Sequence, residues 1–168
     1  TSATIAATAL GEIGAKTSGT VTVSNAVKIV GAASDLTNTL VTTGSSVTAA
    51  KALVDITDGT FASTSATIAA TALGDIGAKT SGTVTVSNAV KIVGAASDLT
   101  NTLVTTGSSV TAAKALVDIT DGTFASTSAT IAATALGDIG AKTSGTVTVS
   151  NAVKIVGAAS DLTNTLVT

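Results

Sequence analysis

The chain has no Cys, His, Met, Trp, Tyr or Pro, and its 168 residues also contain no Arg or Gln. Without imidazole and thiol groups it lacks an ordinary histidine base, a thiolate nucleophile and the ligands of a zinc site. Only Ser, Thr, Lys, Asp and a single Glu are left to do chemistry. We therefore expect no catalytic, cofactor-binding or metal-binding residues, no cofactor and no enzymatic activity.

Charge and aromatic content narrow the range of partners. Eight Lys residues stand singly against ten acidic residues, giving a net charge of -2, and the only aromatic residues are two Phe. A chain with no basic run and no aromatic platform for base stacking is not expected to bind nucleic acid. The mean hydropathy is +0.61, but no uninterrupted apolar stretch reaches the roughly 18 residues that a transmembrane helix needs. We expect no membrane span.

The chain is a tandem array of one long repeat. Residues 64–126 repeat residues 1–63 apart from Glu12, which becomes Asp75, and residues 127–168 repeat residues 64–105 without change. The sequence therefore predicts a single repeat array, with two complete copies at 1–63 and 64–126 and a partial copy at 127–168. Since an active site ordinarily lies in one cleft, residues present in every copy indicate that architecture is the function. The chain begins and ends within a repeat, so we expect it to be a section of something longer.

Each copy divides into three 21-residue units that begin with Thr. Stretches rich in β-branched residues after turn signals predict strands at residues 20–23, 39–42 and 60–63. Polar residues that could cap the following helices are Ser2 or Thr4, Ser24 or Asn25, and Ser45 or Ser46. Apolar residues at helical spacing follow them: Ile5, Ala9, Leu10 and Ile13; Val27, Val30 and Ala33; Val47, Ala50, Leu53 and Val54.

Alternation of strand and helix predicts an α/β fold, an open βα solenoid of about eight 21-residue coils. A parallel sheet would form one side and short helices the other, with right-handed connections. An all-β solenoid remains an alternative, because residues 20–24 and 1–8 also show partial strand alternation. A closed barrel is disfavoured, since such barrels rarely have fewer than about 200 residues.

Two motifs invite a ligand-binding interpretation, and a simpler one is favoured for each. Asp55, Asp58 and Gly59 resemble part of a calcium loop but lack its density of oxygen ligands, so we interpret them as a helix end followed by an Asp-Gly turn. Lys16 and Thr17 lack the glycine spacing of a phosphate-binding loop and follow a helix instead of preceding one. We predict an ordinary loop there.

Three other sets of residues have predicted structural roles. Thr1, Thr22 and Thr43 share one column of the 21-residue repeat and could form a ladder of hydroxyl groups, as on ice-binding solenoids, although strands also favour exposed Thr. Phe61 and Phe124 are expected to plug the core. Lys16, Lys28 and Lys51 are expected to be solvated charges.

The segment TVTVSNAVKIVGAASDLTNTLVTTG, with its strand, polar cap, Ala-rich helix and following D-L-T, resembles the short tandem repeats of very large secreted cell-surface proteins of bacteria, including cyanobacteria. The resemblance implies an extracellular or surface-layer protein whose repeats form a long rod. Copies in natural arrays usually differ more than these do, which recent duplication or a synthetic gene would explain.

The sequence thus predicts a structural protein that forms a rod or filament by head-to-tail stacking on copies of itself, outside the cell or at its surface. Neither end departs from the repeat, whereas a solenoid that terminates needs a polar cap. The alternatives are a repetitive face that binds ice, a glycan or a mineral surface, and a designed repeat scaffold.

Overall fold

A computed structural model describes residues 3–167 of the chain. Short parallel strands alternate with short helices along the whole of this range, and the strands pair with strands from later turns of the chain. The fold is an open α/β solenoid, as the alternation of patterns predicts. Eight α-helices lie within the described residues, an average of one for each 21-residue unit of the sequence.

The copies contain the same succession of elements. The first copy contains β1 (Thr4–Ala6), α1 (Ala7–Ala15), β2 (Val21–Thr22), β3 (Lys28–Gly31), α2 (Ala33–Leu36) with a π-helical continuation (Thr37–Val41), β4 (Val47–Thr48), β5 (Leu53–Ile56) and α3 (Phe61–Thr64). The second contains β6 (Thr67–Ala69), α4 (Ala70–Gly77), β7 (Val84–Val86), β8 (Lys91–Gly94), α5 (Ala96–Leu99) with a π-helical continuation (Thr100–Val104), β9 (Val110–Thr111), β10 (Leu116–Ile119) and α6 (Phe124–Thr127). The partial copy contains β11 (Thr130–Ala132), α7 (Ala133–Gly140), β12 (Val147–Val149), β13 (Lys154–Val156) and α8 (Ala159–Leu166).

The strands form parallel ladders that cross the boundary between copies. One sheet has the order β1-β3-β5-β7-β9 and another the order β12-β10-β8-β6, with two-stranded ladders β2-β4 and β11-β13 beside them. Since side chains alternate between the two faces of a strand, the register places one row of β-branched residues against the core: Ile5, Ile29, Val54, Val84 and Val110. All but Ile5 are buried.

Six helical segments form a single row beside the strands. They begin at residues 7, 33, 70, 96, 133 and 159, and each contacts the next. The short helices α3 and α6 precede β6 and β11 and have no buried residues. Each complete copy therefore adds two members to the helix row but five strands to the sheets, so the number of helices in the row does not equal the number of strands beside it.

The turns of the solenoid are unequal in length. Thr4 lies opposite Lys28, whereas Val54 lies opposite Val84, so more chain separates the second pair than the first. The extra chain between β5 and β7 contains α3 and β6. Repetition is therefore regular over each 63-residue copy and irregular within it, which agrees with the degenerate 21-residue pattern.

Several predicted elements are wrong in type. Residues 39–42 and 60–63, predicted as strands, lie mainly in helical segments, while the helices predicted around Val30 and Leu53 are the strands β3 and β5. Long-range packing overrides the local pattern here. β5, for example, is a strand paired on both sides, by β3 and β7, a position that suits β-branched residues. The predicted strand at residues 20–23 is confirmed by β2, and the helix predicted from Ala9, Leu10 and Ile13 is confirmed by α1, although Ile5 lies in β1.

The predicted side-chain caps are also not the ones used. α1 and α2 begin after Ala6 and Ala32, which make no capping hydrogen bond. Thr4 lies in β1, and Ser24, Asn25, Ser45 and Ser46 lie between elements; Ser2 lies outside the described residues. For α2 the cap is supplied from another turn of the solenoid, by Asp58.

Candidate functional site: polar clusters between coils

A polar cluster lies on the outward side of the first sheet, where the three neighbouring strands β3, β5 and β7 run side by side. Its members are Lys28, Asp55 and Ser87. Lys28 begins β3, Asp55 lies in the neighbouring β5, and Ser87 directly follows β7. The Lys28 Nζ atom lies 2.9 Å from Asp55 Oδ2, and the Ser87 hydroxyl donates to Asp55 Oδ1. One carboxylate therefore ties together three layers of the solenoid.

The environment of Asp55 favours its ionised form. Burial by itself raises the pKa of the Asp55 carboxyl, but the hydrogen bonds from Ser87 and Lys28 and the positive charge of Lys28 outweigh it, so its pKa lies below the ordinary value. A carboxylate whose pKa is lowered is a poor proton acceptor at neutral pH, because an effective general base has a pKa near the working pH. The arrangement suits a structural ion pair better than acid–base chemistry.

Asp58 caps a helix that precedes it in the solenoid. Its Oδ2 atom accepts a hydrogen bond of 2.7 Å from the backbone amide of Ala33, the first residue of α2. The Asp58 carbonyl oxygen accepts a 2.7 Å hydrogen bond from Asn88 Nδ2. A carboxylate at a helix N-terminus satisfies a free amide and interacts favourably with the helix dipole. Since Ala32 has no polar side chain, Asp58 takes over the role of its cap.

The same cluster recurs in the next copy. Asp121 accepts from the Ala96 amide at 2.7 Å, Asn151 donates to the Asp121 carbonyl at 2.7 Å, and Ser150 donates to Asp118. The Lys91–Asp118 ion pair is longer, at 3.6 Å. The Lys91 ammonium also lies 4.6 Å from the centre of the Phe61 ring, within the range of a cation–π contact.

These contacts account for the Asp-Gly motif without a metal ion. Asp55 and Asp58 each have partners from other strand turns, and residues 3–167 contain no group of three or more acidic side chains placed to hold a metal. The predicted helix end with an Asp-Gly turn is wrong: residues 57–60 follow strand β5, and they form an irregular connection in which no turn is assigned. Lys16 and Thr17 lie in an exposed loop after α1, where Thr17 Oγ1 accepts from the Gly19 amide at 3.0 Å.

The predicted threonine column is not formed as expected. Thr22 lies opposite Thr48, with 3.4 Å between their Oγ1 atoms, and Thr43 lies in the turn after the π-helical segment. Thr1 lies outside the described residues. The outward row of the long sheet is mixed in chemistry, since Val30, Asp55, Thr85 and Thr111 follow one another.

The predictions for Phe and for one Lys need correction. Phe124 is 43 % exposed and Phe61 is half-buried, so neither ring fills the core. Both begin short surface helices and lie beneath lysines of the neighbouring strand turn, with Lys154 5.7 Å from the Phe124 ring centre. Lys28 is an ion-pair partner and not an isolated solvated charge, while Lys16 and Lys51 are exposed.

Shallow grooves lie along the helix row beside the loop that follows each π-helical segment. The larger groove, of about 520 Å³, is lined mainly by glycines, hydroxyl groups and backbone: Gly74, Gly77, Thr80, Asn101, Thr102 and Ser109. An equivalent groove beside α1 is lined by Gly11, Gly14, Thr39 and Ser46. The linings of these two grooves contain no charged residue, whereas grooves on the other side of the same loops include Lys79 and Lys142. Hydroxyl groups of the two uncharged grooves bond internally, as Thr102 Oγ1 does to the Ala70 carbonyl at 3.0 Å.

The contacts of Ser87 and Asn88 with Asp55 and Asp58 were not predicted from the sequence, because the repeat does not indicate which Asp each of them contacts. The distance along the chain from Asp58 to Asn88 is 30 residues, which matches neither the 21-residue nor the 63-residue period. Two polar residues at the start of a loop between strands were the available signal.

No protein-family model, curated protein or solved structure matches the chain. Within residues 3–167, no helix has the length and apolar character required to cross a membrane.

Proposed function

We propose that this protein is a structural repeat protein that forms a rod or filament by end-to-end stacking of its coils. The observation that carries the proposal is that the two junctions between 63-residue copies are built from the same strand pairing and the same polar contacts. An array of this kind can be lengthened by further copies without a new type of interface.

The junction between the first two copies contains strand, helix and polar contacts. β5 of the first copy pairs in parallel with β7 of the second, and the π-helical segment 37–41 packs against α4. The Ser87 hydroxyl of the second copy binds Asp55 of the first. β10 and β12 repeat the pairing at the next junction. Each added copy thus buries the same core and completes one more polar cluster.

We propose an extracellular or cell-surface location for such a rod. The support is the resemblance to repeats of secreted bacterial surface proteins, together with a composition free of cysteine, which suits a protein that does not rely on disulfides. Immunogold labelling of intact source cells with an antibody against the repeat tests this directly. Surface labelling without permeabilisation is expected; labelling only after permeabilisation would contradict an external location.

A length series tests the structural role itself. Covalent arrays of two, four and six complete copies are compared by negative-stain electron microscopy at low concentration, where association of separate chains is minimal. We expect particles of constant width whose length increases by the same increment for each added copy. Particles that widen or become globular as copies are added would show that the junction does not propagate, and the proposal would fail.

A further inference from the structure

The pair Asp58–Gly59 and its equivalent Asp121–Gly122 are the kind of peptide linkage that isomerises most readily in proteins. None of the other acidic residues of the chain is followed by glycine. The amide nitrogen of the residue after Asp can attack the side-chain carboxyl, and glycine hinders this attack least because it has no side chain. Both pairs lie in irregular connections, at residues 57–60 and 120–123, where no helix or strand holds the backbone.

The packing of the coils requires both residues of the pair. Asp58 Oδ2 accepts the 2.7 Å hydrogen bond from the Ala33 amide and so caps α2. A Cβ atom at Gly59 would lie 2.6 Å from the Thr64 side chain, and at Gly122 the equivalent distance is 2.7 Å. A larger residue would therefore have to displace a threonine. The fold places this reactive sequence where two packing requirements coincide.

The two groups that would react are each held by a different coil. The Asp58 carboxyl is bound by Ala33, which lies 25 residues earlier in the chain, and the Asp58 carbonyl accepts from Asn88 Nδ2, 30 residues later. Because the peptide unit is planar, a hydrogen bond to the Asp58 carbonyl oxygen also fixes the direction of the Gly59 amide. Both contacts recur at Asp121.

Closure of a ring between these groups must break the contact of the carboxyl group. In a succinimide ring the bond between Cα and Cβ of the aspartate is close to eclipsed, whereas a side chain rests in a staggered rotamer. Reaching the ring therefore rotates the Asp58 carboxyl away from the position in which it caps α2. Any accompanying rotation of the peptide unit also stretches the hydrogen bond from Asn88. The free energy of these contacts is thus added to the barrier.

We propose that Asp58–Gly59 and Asp121–Gly122 are sites of spontaneous conversion to isoaspartate, and that the contacts with neighbouring coils suppress this reaction in the folded protein. The Gly59 nitrogen forms a bond to Asp58 Cγ, and the carboxyl hydroxyl group leaves as water with the amide proton. Water then adds at the Asp58 backbone carbonyl carbon, the bond from that carbon to the nitrogen breaks, and the nitrogen regains a proton. The chain keeps its mass, and no oxidant takes part.

The product no longer makes the contacts that suppress its formation. In isoaspartate the main chain runs through Cβ and Cγ, so the connection after β5 is longer by one bond and the free carboxylate is attached to Cα. Neither Ala33 nor Asn88 then has its acceptor in place. Since Asp58 joins α2 to the residues that follow β7, conversion loosens the attachment between coils, and opening of that attachment favours conversion.

The test uses the two copies of the site as controls for each other. Trypsin releases residues 52–79 and 115–142, which contain one linkage each and have identical sequences. Every chain therefore carries Thr71→Ser, a conservative change at an exposed position, which separates the two peptides by mass. After prolonged incubation at neutral pH, electron-transfer fragmentation measures the isoaspartate fraction of each peptide.

Ala33→Pro removes the amide that binds Asp58 and leaves the reactive pair unchanged. Proline is tolerated at the first position of a helix, and Ala32, with φ -71° replaced here by its own φ of -67° and ψ of 153°, has the extended conformation that a residue before proline requires. We expect Asp58–Gly59 to convert about tenfold faster than Asp121–Gly122 of the same molecule, the factor for loss of a hydrogen bond to a charged group. Ala96→Pro should reverse the order.

Asn88→Ala provides a second test that does not depend on the folding of Ala33→Pro, which circular dichroism checks. It releases only the Asp58 carbonyl and should accelerate conversion at Asp58–Gly59 by a smaller factor. In urea both linkages should convert equally, and faster than in the folded chain. Equal rates at the two linkages in folded Ala33→Pro overturn the proposal, and equal rates in Asn88→Ala do so if Ala33→Pro does not fold. Conversion in the folded unmodified chain as fast as in urea overturns it as well.

Discussion

The first and second copies of the repeat differ at one surface position, yet identical residues within them lie in different environments. Ile13 is 55 % exposed and its equivalent Ile76 is fully buried. Glu12 and Asp75, the residues that differ, are both exposed and cannot account for this. α4 lies between the π-helical segments 37–41 and 100–104, whereas the main contacts of α1 within the helix row, among residues 3–167, are with residues 33–41. Burial is therefore a property of the neighbouring coil and not of the residue.

Glycines give a second instance of the same comparison. A Cβ atom at Gly82 would lie 2.3 Å from the backbone oxygen of Ala52, whereas at Gly19 the nearest atom would be the Thr17 hydroxyl at 3.6 Å. The local sequence is the same in both places. Of the two, only Gly82 has a preceding coil close enough to require glycine.

Replacing Ile76 tests the comparison with the largest expected effect. Ile76→Ala should lower the free energy of unfolding by about 2–5 kcal/mol, because it removes a fully buried side chain and leaves a cavity. Ile13→Ala is the same change in the first copy. It should change the free energy of unfolding by no more than about 0.5 kcal/mol, the usual limit for a surface substitution. Urea denaturation of both variants measures the difference. Equal losses would show that α1 is covered in solution.

Adding one methyl group at the close approach should have the next largest effect. Gly82→Ala forces a backbone shift between coils and should cost about 1–3 kcal/mol, the usual range for overpacking. Gly19→Ala meets only ordinary contacts, and the lower entropy of its unfolded chain should make it neutral or slightly stabilising. Thermal unfolding followed by circular dichroism distinguishes them. If Gly82→Ala is as stable as Gly19→Ala, the two coils lie further apart than the structure shows.

Removing the cap that acts between coils should have a moderate effect. Asp58→Ala leaves the Ala33 amide without its partner and should cost about 0.5–2 kcal/mol, the range for loss of a helix cap. Asp138→Ala, which removes an exposed carboxylate, controls for the change in net charge. Amide hydrogen exchange should show faster exchange at Ala33 in the first variant alone. Unchanged exchange there would contradict the assigned contact.

The smallest expected effect is the pH dependence of the Asp55 ion pair. The pKa of Asp55 is lowered in the folded state from the ordinary carboxyl value of 3.8. The ionised carboxylate therefore stabilises the fold fully above pH 3.8, and this stabilisation is lost as the pH falls through the lower pKa of the folded state. Asp55→Asn should flatten the fall in stability below about pH 4. The free energy of unfolding is measured by urea denaturation at a series of pH values. If it falls with pH as steeply in Asp55→Asn as in the unmodified chain, the ion pair of Asp55 does not contribute to the pH dependence.

The sequence was sufficient to predict the repeat, the fold class, the helix α1 and the strand β2. Apolar residues at helical spacing indicate α1, and β-branched residues indicate β2 even though its partner β4 lies in a later coil. β3 and β5 were missed because Val30 and Leu53 also fit helical spacing, and the strand state depends on partners in other turns of the solenoid. The polar clusters were missed for the same reason. Asp58 was predicted to lie in a local turn, but it lies in an irregular connection and its partner Ala33 lies in an earlier coil of the solenoid.

The identical segments 96–104 and 159–167 separate what the sequence determined from what the tertiary structure decided. Both have the sequence ASDLTNTLV, and in both the sequence determined a helix that begins after Ala with Asp in its first turn. In the second copy residues 100–104 form a π-helix, whereas α8 continues as an α-helix to Leu166. After the π-helix the chain turns, Thr105 donates its amide to the Thr100 carbonyl at 2.9 Å, and the Ser108 hydroxyl binds the Thr102 carbonyl. Local sequence thus selected helix, while the contacts of the following turn selected its type, because backbone carbonyls near a helix end accept whichever donors the next coil provides.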